Sequence, residues 1–396
     1  MKTILDAAYV SVLLVLLLSA EAVPIGRRRC GDGHCRFVET CRSCPEDCGE
    51  CSEGGGLFPQ LFPLQGFSSK KRIKVFFLFG QSNMQGHGCK DHLTELLNNP
   101  TTTTKYSQLW DVTTNDWAER PDVRIRNCGQ EDNPYPCRET TRLRSVGEGA
   151  TVNKFGPETG FGWTMGDALE EDIFLCKAAW GGKDLAIDFR PPNSSDTMYN
   201  GDESPLSLVY DGIDPESYSV YYEETLGVFQ KCIEEINVYA PGYDSYEMAG
   251  FVFFQGWNDV VDLEKVGEYQ YNLRNLIFDI RNDLGLPTVP MVVGQLGQHT
   301  SAELASWKSD MDPGIQERWD RVMALRWAQG NATEKSINAA LAETSLIVDS
   351  SDRCPTYADG TLHEDVCGCD SYHYYNNAQI VYDIGVDMAN EMLTLL

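Results

Sequence analysis

The chain is short of positive charge. Its 396 residues carry 32 Lys and Arg against 59 Asp and Glu, a formal net charge of −27. Phosphate binding needs basic patches, so this balance excludes nucleic acid as a partner. A dense basic run, Arg27-Arg28-Arg29, lies near the start of the chain. An acidic surface also disfavours anionic membranes and polyanionic substrates, which leaves neutral polymers and uncharged esters.

Long apolar runs are equally scarce. "VSVLLVLLLSA" is the exception, and it is too short to span a bilayer comfortably. Lys2 precedes it and Ala20-Glu21-Ala22 follows with small residues at a cleavage spacing. Residues 1–22 therefore read as a signal peptide, and the expected location is secreted, with no membrane association after cleavage. Histidine is rare too, with six in the chain.

Cysteine is not scarce. There are 14, six of them between Cys30 and Cys51, an abundance that suits an oxidising compartment. Residues 27–52 hold too few apolar side chains to bury a core, so cross-links must hold them, and three disulfides are expected. A metal site through Cys41 and Cys44 is the rival reading. This Cys-rich module is a candidate for binding an unknown partner. Residues 53–70, rich in Gly, Pro and Ser, read as a linker to a domain spanning 71–396. Asn193 and Asn331 open glycosylation sequons.

From residue 71 onward the pattern alternates between strand and helix. "IKVFFLF" (73–79), "IFLCKAAW" (173–180), "GFVFFQG" (250–256), "TVPMVVGQL" (288–296) and "SLIVDS" (345–350) read as strands. Their continuous hydrophobicity suits strands buried on both faces of a parallel sheet. Helical stripes separate them: Tyr222, Leu226, Phe229, Ile233 and Ile236; then Val266, Leu273, Leu276, Ile277, Ile280 and Leu284; and last Ile380, Ile384, Met388 and Met392. The sum is a three-layer α/β domain with a parallel central sheet. Residues 90–155 look loop-rich, and an insertion over the sheet is expected there.

In open parallel sheets, sites form at the carboxyl ends of strands. "GQSNMQGHG" follows the first strand, "WGGKDLAIDFRPP" the second and "QGWND" the third. Ser82 has two readings, a helix cap or a nucleophile in a strand-to-helix turn. The G-x-S-x-G elbow is absent, because Met84 stands where its second glycine would be. Asp370 lies three residues before His373, a spacing at which a carboxylate can orient an imidazole. His87 and His363 are weaker candidates for the base. Gly182, and either Asn258 or Gln255, are candidate oxyanion donors. Trp180, Trp257, Tyr372 and Tyr374 could stack on sugar rings, and Arg190 could make a polar contact.

Ser, Gly, Asn and His in this order resemble the SGNH hydrolases. "GQSNMQGHG", "FGPETGFGWTM", "AAWGGKDLAIDFRPP", "FFQGWND" and "DSYHYY" resemble the branch holding sialate O-acetylesterases and acetylxylan-esterase-like carbohydrate esterases. The resemblance covers about residues 72 to 396. It implies a flavodoxin-like three-layer fold, a Ser82–His373–Asp370 triad and removal of O-acetyl groups from carbohydrate without a metal or cofactor. It also implies an oxyanion hole from the Ser82 and Gly182 N–H groups and an amide of the "QGWND" block, with Gln81, Trp180, Arg190 and Trp257 toward the substrate. Trp257 stands where that branch commonly has an acid, so the third donor stays open between Asn258 and Gln255. An esterase for lipid or aryl esters and a non-catalytic carbohydrate-binding protein are the alternatives.

Overall fold

The computed structural model describes residues 71–130, 137–194, 210, 212–351, 353–354 and 356–396. The proposed signal peptide, Cys-rich module and linker lie outside the described residues.

A seven-stranded sheet organises the domain. Its strands are β1 (Arg72–Gly80), β2 (Glu119–Cys128), β3 (Thr141–Arg144), β4 (Asp172–Ala179), β5 (Ser245–Phe254), β6 (Met291–Gly294) and β7 (Ala339–Ala342). The spatial order is β7-β6-β5-β1-β4-β2-β3, with β3 alone antiparallel to its neighbour. The order reverses at β1, which pairs with β4 on one side and β5 on the other. Such a switch point is where a doubly wound sheet opens a crevice.

The alternation along β1 explains the layers. Ile73, Val75, Phe77 and Phe79 pack into one core, with helices Val220–Glu234 and Leu263–Asp283. Phe76 and Leu78 pack into the other, with helices Pro157–Ala168 and Ala378–Leu395. Both faces of β1 are therefore covered, as its unbroken hydrophobicity requires.

Two expectations are corrected. "SLIVDS" is not a strand: Ser345–Asp349 is a short helix, and the edge strand is the preceding Ala339–Ala342. The 90–155 stretch is not simply an insertion, because it supplies β2 and β3 to the main sheet. In β2 only alternate residues are apolar. Buried Val123 and Ile125 alternate with Asp122, Arg124 and Arg126, so the strand lacks the continuous signature of its neighbours.

All eight cysteines beyond Cys51 are paired, as Cys89–Cys367, Cys128–Cys137, Cys176–Cys232 and Cys354–Cys369. No helix among the described residues is long and apolar enough to cross a membrane.

Candidate active site

Gly80 ends β1 with φ near 149°, and a Cβ there would meet the Phe254 carbonyl oxygen at 2.2 Å. Only glycine fits this approach. The chain then turns at once into a single helical turn, α1 (Ser82–Gln85), with Ser82 at its first position. That turn lies over the carboxyl end of β1. It opens onto a pocket of about 620 Å³ lined by residues that include Ser82, Trp180, Gly182, Trp257, Asn258 and His373.

The loops that meet here follow three adjacent strands. Trp180 to Lys183 follow β4, where the Trp180 N–H donates to the Gly80 carbonyl at 3.1 Å. Gly182 has φ near 72°, with open space beside its Cα. Asn258 follows β5, and its backbone N–H donates to Gln81 Oε1 at 3.4 Å. The Asn258 side-chain amide has no hydrogen bond to any described residue, nor do the N–H groups of Ser82 and Gly182. Three donors at one pocket are thus left without an internal acceptor.

Gln255 differs. Its Nε2 donates to Gln81 Oε1 at 3.1 Å, to the Lys183 carbonyl at 3.2 Å and to Asp259, while its Oε1 accepts from Tyr269 at 2.9 Å. An amide nitrogen carries two hydrogens, so this one is already committed beneath the pocket. Gln81 is also buried, accepting from Gly256 N–H at 3.2 Å and bracing the "QGWND" turn from below. Between the two candidate amides, the geometry favours Asn258.

His373 lies on a 3₁₀ segment, Ser371–Asn376, between two of the disulfides and the last helix. Its ring stacks on His87 with centroids 3.6 Å apart and meets Tyr372 edge-on at 4.5 Å. The three residues after it, Tyr374, Tyr375 and Asn376, all have φ between 51° and 60°. Left-handed backbone at non-glycine residues is strained, and the surroundings must hold it there. Tyr374 Oη accepts from Gly297 N–H at 2.9 Å, Tyr375 Oη donates to the Gln298 carbonyl at 3.0 Å, and Asn376 donates to the Cys367 carbonyl at 2.7 Å. Cys89–Cys367 ties this loop to the segment just after the Ser82 turn.

Burial, then the nearby Lys154 cation, pushes the His373 pKa down to about 4, with the Asp370 carboxylate opposing both. Asp370 reaches His373 through its backbone carbonyl, which accepts the His373 N–H at 2.9 Å. The ring and the Asp370 carboxylate are not hydrogen-bonded to each other.

Other predicted residues fall elsewhere. Arg190 is only 1% exposed and grips Glu268 with both terminal nitrogens, at 3.1 and 3.2 Å, so it is a buried structural fork and not a substrate contact. Tyr374 is buried and cannot stack on a sugar, whereas Tyr372 is 41% exposed at the pocket. His363 is buried, with Nε2 on the Tyr375 carbonyl at 2.8 Å and Nδ1 on Tyr357 at 3.1 Å. His87 pairs with Lys154 at 2.9 Å beneath His373, and burial above all lowers its pKa to about 2. Neither of these two histidines lines the pocket.

One pair escaped the sequence reading. Lys177, on β4, and Glu158, at the start of helix Pro157–Ala168, form an ion pair of 2.7 Å with both side chains fully buried. Lys177 also donates to the carbonyls of Gln85 and Glu148, each at 2.8 Å. Gln85 closes the Ser82 turn, so this cation anchors the turn from inside. The signal was a lysine within the apolar run "IFLCKAAW".

A pocket over the carboxyl edge of a parallel sheet, lined by aromatic rings and with hydrogen-bond donors left open, suits an ester hydrolase. Residues 72–336 match the model of the SASA family, described as carbohydrate esterase, sialic acid-specific acetylesterase. The match spans more than half of the chain, and the chain belongs to this family; it is a carboxylic ester hydrolase of the carbohydrate acetylesterase type. Asp370 and His373 lie beyond the matched span. A search of curated proteins gives no match.

Three solved structures are similar. A protein from Arabidopsis thaliana shares 16% identity, with 81% of this chain and 98% of that one covered, at a TM-score of 0.41. A carbohydrate acetylesterase from Xanthomonas citri shares 13%, with 80% and 55% covered, at 0.41. NanS shares 12%, with 70% and 79% covered, at 0.37.

Proposed function

We propose that the protein is a secreted serine esterase that removes O-acetyl groups from a carbohydrate, either an acetylated polysaccharide or a sialic acid, through a Ser82–His373–Asp370 triad. The observation that carries this reading is the meeting of Ser82, His373 and three open donors at one pocket. His373 takes the Ser82 proton as Oγ attacks the acetyl carbonyl. The N–H groups of Ser82 and Gly182 and the Asn258 amide hold the oxyanion. The tetrahedral intermediate collapses, His373 returns its proton to the departing sugar oxygen, and an acetyl-enzyme remains. His373 then removes a proton from water, the water oxygen attacks, and acetate leaves as Ser82 regains its hydrogen. Asp370 stabilises the imidazolium by its charge. Trp180 and Trp257 offer flat faces to the sugar.

The paired cysteines and the leader-like first residues support secretion, with residues 1–22 removed, a Cys-rich module at 27–52, a linker at 53–70 and the esterase domain at 71–396.

The test is acetate release from acetylated xylan and from O-acetylated sialic acid, run beside p-nitrophenyl palmitate. The expected result is turnover of at least one acetylated sugar and kcat/KM on the palmitate lower by on the order of a hundredfold, since the pocket is rimmed by polar and aromatic groups. Faster palmitate hydrolysis would favour a lipid esterase.

The base also sets the acid limb of the pH profile. Only neutral His373 accepts a proton, and its pKa is lowered to about 4. The expected kcat/KM is flat through neutrality and falls as pH drops through about 4. A loss beginning above pH ~6, where an unperturbed imidazole titrates, would contradict the buried placement of the ring.

A further inference from the structure

Trp257 lines two cavities. Besides the acetyl pocket it borders a cavity of about 310 Å³ lined by Val260, Val261, His299, Arg318, Arg321 and Val322. We propose that this second cavity is a subsite for the carboxylate of an acidic sugar unit adjoining the acetylated one, held by Arg318 and Arg321. The proposal rests on the esterase reading of the first pocket.

The charge distribution argues for it. The chain carries a net charge of −27, yet this wall is cationic. Arg321 shares Glu317 at 2.6 Å, one turn away on the helix Pro313–Glu334. Arg318 has no carboxylate partner among the described residues. Its guanidinium lies 5.0 Å over the Trp307 ring, a stack that fixes the plane without using the N–H fork. Behind it, Arg326 spends its donors on the carbonyls of Leu296 and His299, at 2.6 and 3.1 Å, with no carboxylate paired to it. Among the nearby acids, Glu303 is held by Arg353 at 2.7 Å, and Asp349 accepts from the backbone N–H and the hydroxyl of Ser301. His299 is buried and its Nε2 has no partner; burial lowers its pKa to about 4, the Glu303 carboxylate opposes the shift, and the Arg318, Arg326 and Arg353 charges add to it. With Glu317 and Glu303 each paired to another arginine, Arg318 keeps a guanidinium fork that can take one more anion.

The shape argues for a sugar. Val260, Val261, Val322 and the Trp257 ring give the cavity an apolar side that suits the C–H face of a pyranose. A guanidinium fork suits a planar carboxylate. A cavity of this size takes one ring, and the shared Trp257 sets it beside the acetyl pocket. The acidic composition, which disfavours polyanions overall, has a local exception here.

The test has two arms. In the first, kcat/KM for acetate release is measured on acetylated xylooligosaccharide with and without a glucuronate branch, for the wild type, Arg318→Gln and Arg321→Gln. The expected wild-type preference for the acidic substrate is roughly tenfold, weaker in high salt, and falls toward one in the variants. No preference in the wild type, or a preference kept by both variants, overturns the subsite. In the second arm, Ser82→Ala is titrated calorimetrically with the deacetylated oligosaccharides. Tighter binding of the glucuronate form is expected, and equal binding overturns the proposal. If neither substrate releases acetate, the esterase reading fails while the second arm still decides the subsite.

Discussion

Ser82→Ala is expected to lower kcat on p-nitrophenyl acetate by on the order of a thousandfold or more, with KM little changed. The turn that carries Ser82 is shaped from both ends. Gly80 allows the close approach to Phe254, and the Gln85 carbonyl is held by Lys177. Ser82 itself does not cap α1 with its side chain; the N-cap position is Gln81, and it makes no side-chain cap bond. The bland reading of Ser82 as a helix cap thus has no hydrogen bond to support it. Steady-state kinetics on purified wild type and variant check the prediction, with far-UV circular dichroism to confirm folding. A loss of less than about tenfold would mean that Ser82 is not the nucleophile.

Lys177→Met is expected to cost about 3–5 kcal/mol of stability and most of the activity. The substitution leaves the Glu158 carboxylate buried without its cation and strips the Gln85 and Glu148 carbonyls of a donor. Burial already pushes the Glu158 pKa up and the Lys177 pKa down, each form being costly to keep charged inside the protein. Adding Glu158→Leu to Lys177→Met removes the stranded charge, so the double variant is expected to regain part of the stability. Activity should stay low, because the Ser82 turn is still unanchored. Urea unfolding and kcat/KM, measured on the wild type, the single variant and the double variant, separate these effects. A single Lys177→Met variant within 1 kcal/mol of wild type would show that the pair is not an anchor.

The central strands were legible because burial on both faces leaves an unbroken apolar run, as in β1 and β4. β2, β3 and β7 were not. Half-exposed β2 alternates Val and Ile with Arg, and β7 is the run Ala-Ala-Leu-Ala, of weak strand propensity. "SLIVDS" carries the stronger β composition, yet it folds as a helical turn. At the site, Ser82, Gly182, Asn258, Trp180 and Trp257 stand in motifs that follow strands, His373 is marked by Asp370 three residues before it, and these six meet in one pocket, Asp370 apart. Arg190 and Tyr374 were misplaced because a motif gives a position along the chain without the direction of a side chain. Gln255 stood level with Asn258 for the same reason, until its committed amide told them apart. The Lys177–Glu158 pair and the Arg318 cavity join distant segments, and no local pattern announces such contacts.

Covalent labelling tests the central claim most directly. The intact protein is treated with diethyl p-nitrophenyl phosphate, digested, and mapped by mass spectrometry. The account predicts one diethylphosphoryl group, on the peptide containing Ser82, with activity lost in proportion to labelling. Inactivation with the label on another residue, or full activity in a protein labelled at Ser82, would contradict it.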